Sequence, residues 1–270
     1  MQEITEKDFK IRCSAISQIM TVTRASITEK QAETIREYEA KEKITEKQLQ
    51  TLTELKQKRD ALPQLGKGAK TYCQKWLQQS LFDRNFFFTS KYTEKGTSEE
   101  NQAIQLMKEK GLIPDFLEKN TEHFWNEYLT GTPDLLPIQT VDDTKCSWSL
   151  EQFPTFAPDI DNKAYIDQLE GYMILTKRKK ARLVYCLVNT PINIVENEIN
   201  RAVYGIEDEA TIKKIEKEIT KNHNFDDIPI KHRIKVFEFD QDPTFEAKLK
   251  ECVEACRAYI KTLLDTYINN

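Results

Sequence analysis

The stretch Thr130-Gly-Thr-Pro-Asp134, followed by Thr140-Val-Asp-Asp-Thr-Lys-Cys146, decides the fold of this chain. Gly131 and Pro133 predict a chain reversal. The flanking runs His123 to Leu129 and Asp134 to Ile138 read as strands, with a third over Thr140 to Ser147. On that third strand the period of two sends Asp143 and Lys145 to one face and Asp142 to the other. Neighbouring carboxylates on a strand place one of them inward, where it needs a partner or a metal. Upstream, Ala103, Ile104 and Met107 mark the inner face of a helix that stops at Gly111-Leu-Ile-Pro114 and carries Glu100 near its start. Downstream come a helix over Asn162 to Thr176 and a buried-type strand over Arg182 to Val188. Helices at about 192–204 and 208–221, a strand from Lys231 to Phe239 and a helix from Pro243 to Tyr267 close the chain. Helix, three-strand meander, helix, strand is an α/β (α+β) core with helical additions.

Glu100, Asp134 and Asp143 thus come from a helix and two adjacent strands, beside one lysine, Lys145. Such carboxylates form an all-oxygen site for a hard divalent cation. Lys145 is placed to orient or deprotonate an attacking water and to offset charge developing on a phosphate. An acid-x-Lys triplet alone carries little weight in a chain with 44 acidic residues. Its weight here comes from Asp134 at hairpin spacing and from the acid-bearing helix before it.

Gly131-Thr-Pro-Asp134 followed by Val141-Asp-Asp-Thr-Lys145 resembles the signature of the PD-(D/E)xK nuclease superfamily, whose core is restriction-endonuclease-like. Gln168-Leu-Glu-Gly-Tyr172 is similar to the Gln-x-x-x-Tyr helix of the RecB-like branch. Gly96-Thr-Ser-Glu-Glu100 resembles the Gly-Thr-x-x-Glu of the YqaJ-like viral recombination exonucleases of phage type. The segments Arg12-Cys-Ser-Ala15 to Met20 and Gly68-Ala-Lys-Thr-Tyr72 resemble the first helices of phage members. The likeness runs from about residue 11 to 200, broken by a helical insertion near 21–64.

The resemblance implies that Glu100, Asp134 and Asp143 bind Mg²⁺ or Mn²⁺ with the Thr144 carbonyl. It implies that Lys145 is the catalytic lysine, with Gln168 and Tyr172 lining the site and positioning the substrate strand. The implied activity is metal-dependent hydrolysis of DNA phosphodiesters, as a 5′-to-3′ exonuclease of recombination that feeds a single-strand annealing protein. The alternatives are a non-cleaving DNA-binding or adaptor protein on the same fold, and a structure-specific endonuclease. Thr144 departs from the family in being polar where an apolar residue is usual. Of the six cysteines only Cys252 and Cys256 are close together, so no iron–sulfur cluster is expected.

Composition sets the remaining limits. Forty basic against 44 acidic residues give a net charge of −4, which disfavours a surface that coats nucleic acid throughout but allows a local basic patch. Lys177-Arg-Lys-Lys180 with Arg182 is a candidate phosphate contact, although cations also suit a solvated helix end. Trp148 is a candidate for base stacking, weighed against a partly buried packing role. His123, His223 and His232 share no ligand spacing, so no zinc site is expected and His123 reads as structural. No membrane-length apolar run and no signal-like start are visible, and scattered cysteines suit reduced thiols, so a cytoplasmic protein is expected (the host cytoplasm if phage-encoded). A homo-oligomer is compatible with the sequence. The phrase Ile-Thr-Glu-Lys recurs at Ile4, Ile27 and Ile44, and at Thr28 and Thr45 it makes a Thr-x-x-Gln capping box. The expected organisation is a helical region over 1–82, with an arm at about 21–64, and a nuclease core with C-terminal helices over 83–270.

Overall fold

The computed structural model describes residues 4–23, 27–41, 43–86 and 90–268. In chain order the first half contains β1 (Ile11–Arg12), α1 (Ile16–Ile19), β2 (Val22–Thr23), α2 (Glu29–Glu39), α3 (Glu46–Asp60), β3 (Gln64–Leu65), α4 (Lys67–Phe82) and α5 (Lys91–Glu109). There follow β4 (Phe124–Trp125), β5 (Leu129–Gly131), β6 (Thr140–Cys146), α6 (Lys163–Thr176) and β7 (Lys180–Cys186). The chain ends with α7 (Ile192–Ala202), α8 (Glu209–His223), β8 (Ile234–Asp240) and α9 (Phe245–Ile268). The architecture is the mixed α/β core with helical additions that the sequence pattern predicts.

Two compact units make up the chain. The first comprises Met1–Ile11, Ala15–Asn85 and Thr244–Asn270. Its hairpin α2–α3 starts both helices with the expected capping boxes. Thr28 accepts from the Gln31 N–H at 3.2 Å while Gln31 accepts from the Thr28 N–H at 3.0 Å, and Thr45 and Gln48 repeat the exchange. At the first copy of the phrase the box closes on Asp8 in place of glutamine, and Thr5 opens only a three-residue 3₁₀ turn. Ile35 and Leu52 are the buried residues of this hairpin, so its apolar stripe is as thin as its composition suggests. The core of the unit lies between α4, through Ala69, Cys73 and Leu77, and α9, through Leu249, Cys252, Val253, Cys256 and Ile260. Phe9 closes it with edge contacts to Tyr72 and Trp76, and Arg257 donates to the Phe9 carbonyl at 3.2 Å.

The second unit comprises Arg12–Ser14 and Phe86–Pro243. Its main sheet has the order β6-β7-β8. Strands β6 and β7 are parallel, with Asp143 opposite Leu183 and Lys145 opposite Tyr185, and β7 and β8 are antiparallel. The parallel pair requires a crossover, which α6 supplies. Ala103, Ile104 and Met107 of α5 pack on Val184, Cys186 and Leu135, as their spacing predicts.

Three local expectations are corrected. His123 to Leu129 is not one strand, because Asn126 accepts from the Tyr128 and Leu129 N–H groups at 2.8 Å each and turns the chain into the β4–β5 hairpin. Asp134 to Ile138 is not a strand but a single bridge, in which Leu135 and Asp142 exchange hydrogen bonds of 3.2 and 3.0 Å between Pro133 and Pro137. Helix α5 begins at Lys91, because Ser90 and Thr93 cap it, so Gly96 lies inside it and Glu100 lies mid-helix.

Candidate active site

The site is built on β6. Asp143, only 2% exposed, and Lys145 project from one face and form an ion pair. Asp142, wholly buried, projects from the other and pairs bidentately with Arg182, whose Nε donates at 2.9 Å. The two adjacent carboxylates thereby divide, one closing an interior charge pair and the other facing a cavity. Arg182 is accordingly removed from the surface basic run: its guanidinium is spent on Asp142 and on the Leu112 carbonyl.

Asp134 reaches the same cavity from the loop before the bridge. Its Oδ2 accepts from the Thr144 N–H at 2.7 Å and the Thr144 hydroxyl at 2.9 Å. The polar residue at position 144, unusual for the resembled family, thus clamps the neighbouring acid. Glu100 Oε2 accepts from Lys119 at 2.6 Å, while its Oε1 is buried with no hydrogen-bond partner among the described residues. Glu100, not the adjacent Glu99, lines the cavity.

Helix α6 supplies the third wall. Gln168 Nε2 donates to Asp143 Oδ1 at 2.9 Å and to the Tyr172 hydroxyl at 3.0 Å, and that hydroxyl donates to the Thr132 carbonyl at 3.2 Å. One chain of hydrogen bonds therefore runs from the Gly131–Pro133 turn to the carboxylate of β6. The turn requires its glycine: a Cβ on Gly131 would lie 2.9 Å from the Tyr172 ring and 3.0 Å from Cys13 Sγ. One helical turn before Gln168, the Tyr165 ring lies under Lys145 Nζ at 4.9 Å from its centroid.

Charge is concentrated here. Burial raises the Asp143 carboxyl above the ordinary range, Lys145 opposes this, and the charges of Asp134 and Glu100 add to the rise. Burial alone would lower Lys145, but Asp143 and then Asp134 outweigh it and hold the ammonium above its usual value. Burial also raises Glu100, against Lys119. A cavity of about 660 Å³ is thus lined by three carboxyl groups that disfavour one another's charge and by one lysine whose charge they favour.

The donor set Glu100, Asp134, Asp143 and the Thr144 carbonyl has the oxygen chemistry of a Mg²⁺ or Mn²⁺ site, and the unpartnered Glu100 Oε1 fits a cation ligand. Among the described residues no three Asp, Glu, His or Cys side chains stand close enough to ligate one ion as they are. Convergence on a common ion therefore requires these side chains to move from the positions they hold here.

The basic run lies elsewhere. Lys177 forms the left-handed end of α6, Arg178 donates to the Pro137 carbonyl, and Lys179 and Lys180 bind Gln241 and Asp240. None of the four lines the cavity. Trp148 does line it, with its ring held edge-on between Tyr92 and His223. His123 binds Thr130 and Thr132 with its two ring nitrogens across the β4–β5 hairpin. The six cysteines are free thiols. Sequence reasoning missed Lys95, Lys119, Tyr92 and Tyr165. Tyr165 was open to detection, since it shares a helical face with Gln168 and Tyr172, whereas Lys119 and Lys95 leave no spacing signal.

No protein-family model matches the chain, and no curated protein matches it. Solved structures do. A phage-related exonuclease from Haemophilus somnus 129PT is 25% identical, with a TM-score of 0.66, and the match covers 96% of each chain. The alkaline exonuclease LHK-Exo from Laribacter hongkongensis is 12% identical, with a TM-score of 0.55, covering 96% of this chain and 92% of that one. LHK-Exo in complex with dAMP gives 14% identity and a TM-score of 0.53, covering 96% of this chain and 91% of that one. The resemblance carried by the sequence motifs thus extends to the whole backbone: the chain has the fold of the phage-type, YqaJ-like exonuclease branch of the PD-(D/E)xK nucleases.

Proposed function

We propose that the chain is a metal-dependent deoxyribonuclease that hydrolyses DNA phosphodiester bonds from an end, as a phage 5′-to-3′ exonuclease of recombination acting in the host cytoplasm. The observation that carries this reading is the gathering of Glu100, Asp134, Asp143, Lys145 and Gln168 around one cavity on a nuclease fold. The exonuclease neighbours support it, and the neighbour bound to dAMP supports release of product one nucleotide at a time. In this reading Glu100, Asp134, Asp143 and the Thr144 carbonyl hold Mg²⁺ or Mn²⁺. The ion would supply Lewis-acid polarisation of the phosphate and a more acidic water.

The chain's own residues do the rest. Asp143 and Asp134 hold the Lys145 ammonium above its usual value, which suits it to face the phosphate oxygens as a positive charge while negative charge develops. That ammonium is pinned between Asp143 and the Tyr165 ring, which fixes its direction before substrate arrives. Gln168 holds Asp143 Oδ1, while the buried Oδ2 pairs with Lys145. Tyr172 fixes Gln168 in turn and ties it to the Thr132 carbonyl, so the turn carrying Asp134 and the strand carrying Asp143 keep their separation. DNA is the proposed partner, with a single-strand annealing protein and further copies of the chain as proposed associates.

The test is digestion of end-labelled linear and covalently closed duplex DNA with Mg²⁺ or Mn²⁺, by the natural chain and by Asp143→Ala and Lys145→Ala. Degradation of linear DNA alone, lost in both variants, is the expected result. Cutting of closed circles keeps the site and changes the role to endonuclease. DNA binding without metal-dependent cleavage moves the reading to a binding protein.

A further inference from the structure

We infer that Tyr92 is a stacking platform for the nucleobase next to the scissile phosphate, an inference that rests on the nuclease reading of the same cavity. Tyr92 lies on the first turn of α5, eight residues before Glu100 on the same helix. At 1.5 Å per residue the two are separated by about 12 Å along the axis. The cavity extends from one to the other, and its 660 Å³ is more than the carboxylate end needs for a phosphate group alone. At the far end stands an aromatic ring that is 52% exposed, in a cavity whose lining mixes apolar and polar surface.

Tyr92 is also held in place before any ligand arrives. Its ring meets Trp148 edge-on, with centroids 5.2 Å apart at 71°. Trp148 meets His223 in the same manner at 5.0 Å, and the Trp148 carbonyl accepts from the buried Lys95 at 3.3 Å. The Lys91 ammonium stands 4.7 Å from the Trp148 centroid and 5.5 Å from that of Tyr92, anchored by Glu198 at 3.0 Å. Trp148, half-buried among these neighbours, lines the same cavity and acts as a positioning residue, while the more exposed of the two rings is Tyr92. A fixed ring loses little freedom on stacking, so most of the contact is retained as affinity. Every base has a π-face, so the platform takes any nucleobase and confers no sequence preference.

The experiment is calorimetric titration with dAMP and with 2-deoxyribose 5-phosphate, which lacks the base. The chains compared are the natural one, Tyr92→Phe, Tyr92→Leu and Tyr92→Ala. The natural chain and Tyr92→Phe are expected to prefer dAMP by about tenfold or more, as stacking on an aromatic side chain predicts. Tyr92→Leu, which keeps an apolar contact to Trp148, and Tyr92→Ala should lose that preference while binding the sugar phosphate as before. Equal affinity of the natural chain for both probes, binding of neither, or a preference that survives in Tyr92→Leu overturns the inference. Digestion of linear DNA by the natural chain is run in parallel. If it is digested while Tyr92 proves indifferent, the inference falls and the nuclease reading stands. If it is not digested while dAMP binding depends on Tyr92, the nucleotide subsite stands and the nuclease reading falls.

Discussion

Asp142 and Asp143 are neighbours in sequence with opposite tasks, and exchanging each for asparagine separates them. Asp142→Asn leaves the Arg182 guanidinium inside the protein without its countercharge, with only neutral oxygens beside it. Breaking a buried pair from one side costs about 3–5 kcal/mol. At about 2–4 °C per kcal/mol for a domain of this size, that lowers Tm by roughly 6–20 °C. Asp143→Asn removes a carboxylate whose burial and whose neighbours Asp134 and Glu100 already disfavour its charge. It also releases Lys145, which keeps Asp134 and the Tyr165 ring as partners. These opposed effects leave stability within about 1 kcal/mol of the natural chain, as for most substitutions without a buried unpaired charge. Cleavage should nevertheless fall by about 100-fold or more, the scale for losing a preorganised electrostatic group. The assay is thermal melting of both variants beside digestion of end-labelled linear duplex, scored per folded molecule. Undiminished melting of Asp142→Asn would refute the interior charge pair. Cleavage by Asp143→Asn at the natural rate would refute the site.

Other outcomes follow from single contacts. Gly131→Ala forces a Cβ into the Tyr172 ring and Cys13, at 2.9 and 3.0 Å, and should cost about 1–3 kcal/mol in a melting experiment; unchanged melting would mean that the approach is not tight. Tyr172→Phe removes the hydroxyl between Gln168 and the Thr132 carbonyl and should slow cleavage about fivefold to tenfold, with KM little altered. Lys95 is 1% exposed, and burial lowers its ammonium to about 8, against the opposing pull of Cys146 and Glu99. Between that value and the ordinary lysine value the unfolded chain binds the extra proton, so stability contributed here rises as pH increases across that window. Urea denaturation at pH 8 and pH 10 should show a gain on the order of 2 kcal/mol in the natural chain that is missing in Lys95→Met; equal gains in both would place the titration on another group.

The elements were legible where a local rule acts alone. Thr28 with Gln31 and Thr45 with Gln48 announce two helix starts because a capping box needs only four consecutive residues. The alternation of Asp143 and Lys145 on β6 was legible for the same reason. The start of α5 was misplaced because Gly96 and Thr97 suggest a beginning, while Ser90 and Thr93, six and four residues earlier, satisfy the orphan N–H groups first. The strand expected at Asp134 to Ile138 failed because Pro133 and Pro137 withhold two donors, leaving Leu135 alone to pair. Asp134, Asp143 and Lys145 could be read as candidates from motif spacing. The residues that hold the acids could not. Lys119 meets Glu100 from a loop 19 residues on, and Arg182 meets Asp142 from 40 residues on, so neither pairing leaves a periodic trace.

Those holding residues explain why three carboxylates coexist in one cavity. Each has its own donor: Thr144 for Asp134, Lys119 for Glu100, and Gln168 with Lys145 for Asp143. An acid satisfied in this way can stay near its neighbours although burial and mutual repulsion favour protonation of Asp143 and Glu100. The donors differ in what they would surrender to a cation. Thr144 and Gln168 are neutral and use one oxygen of Asp134 and of Asp143, so the other oxygens can turn to a new ligand while these bonds persist. Lys119 and Lys145 are charged, and each competes with a cation for the same carboxylates. Lys119 is the half-exposed one, free to swing into water, and Glu100 Oε1 already lies unpartnered beside it. Lys145 is a quarter exposed and is held at the cavity by Asp143, Asp134 and Tyr165. The geometry therefore distinguishes a lysine that can yield its carboxylate from one held at the cavity, and in the proposed reaction Lys145 would be the charge left to face the phosphate.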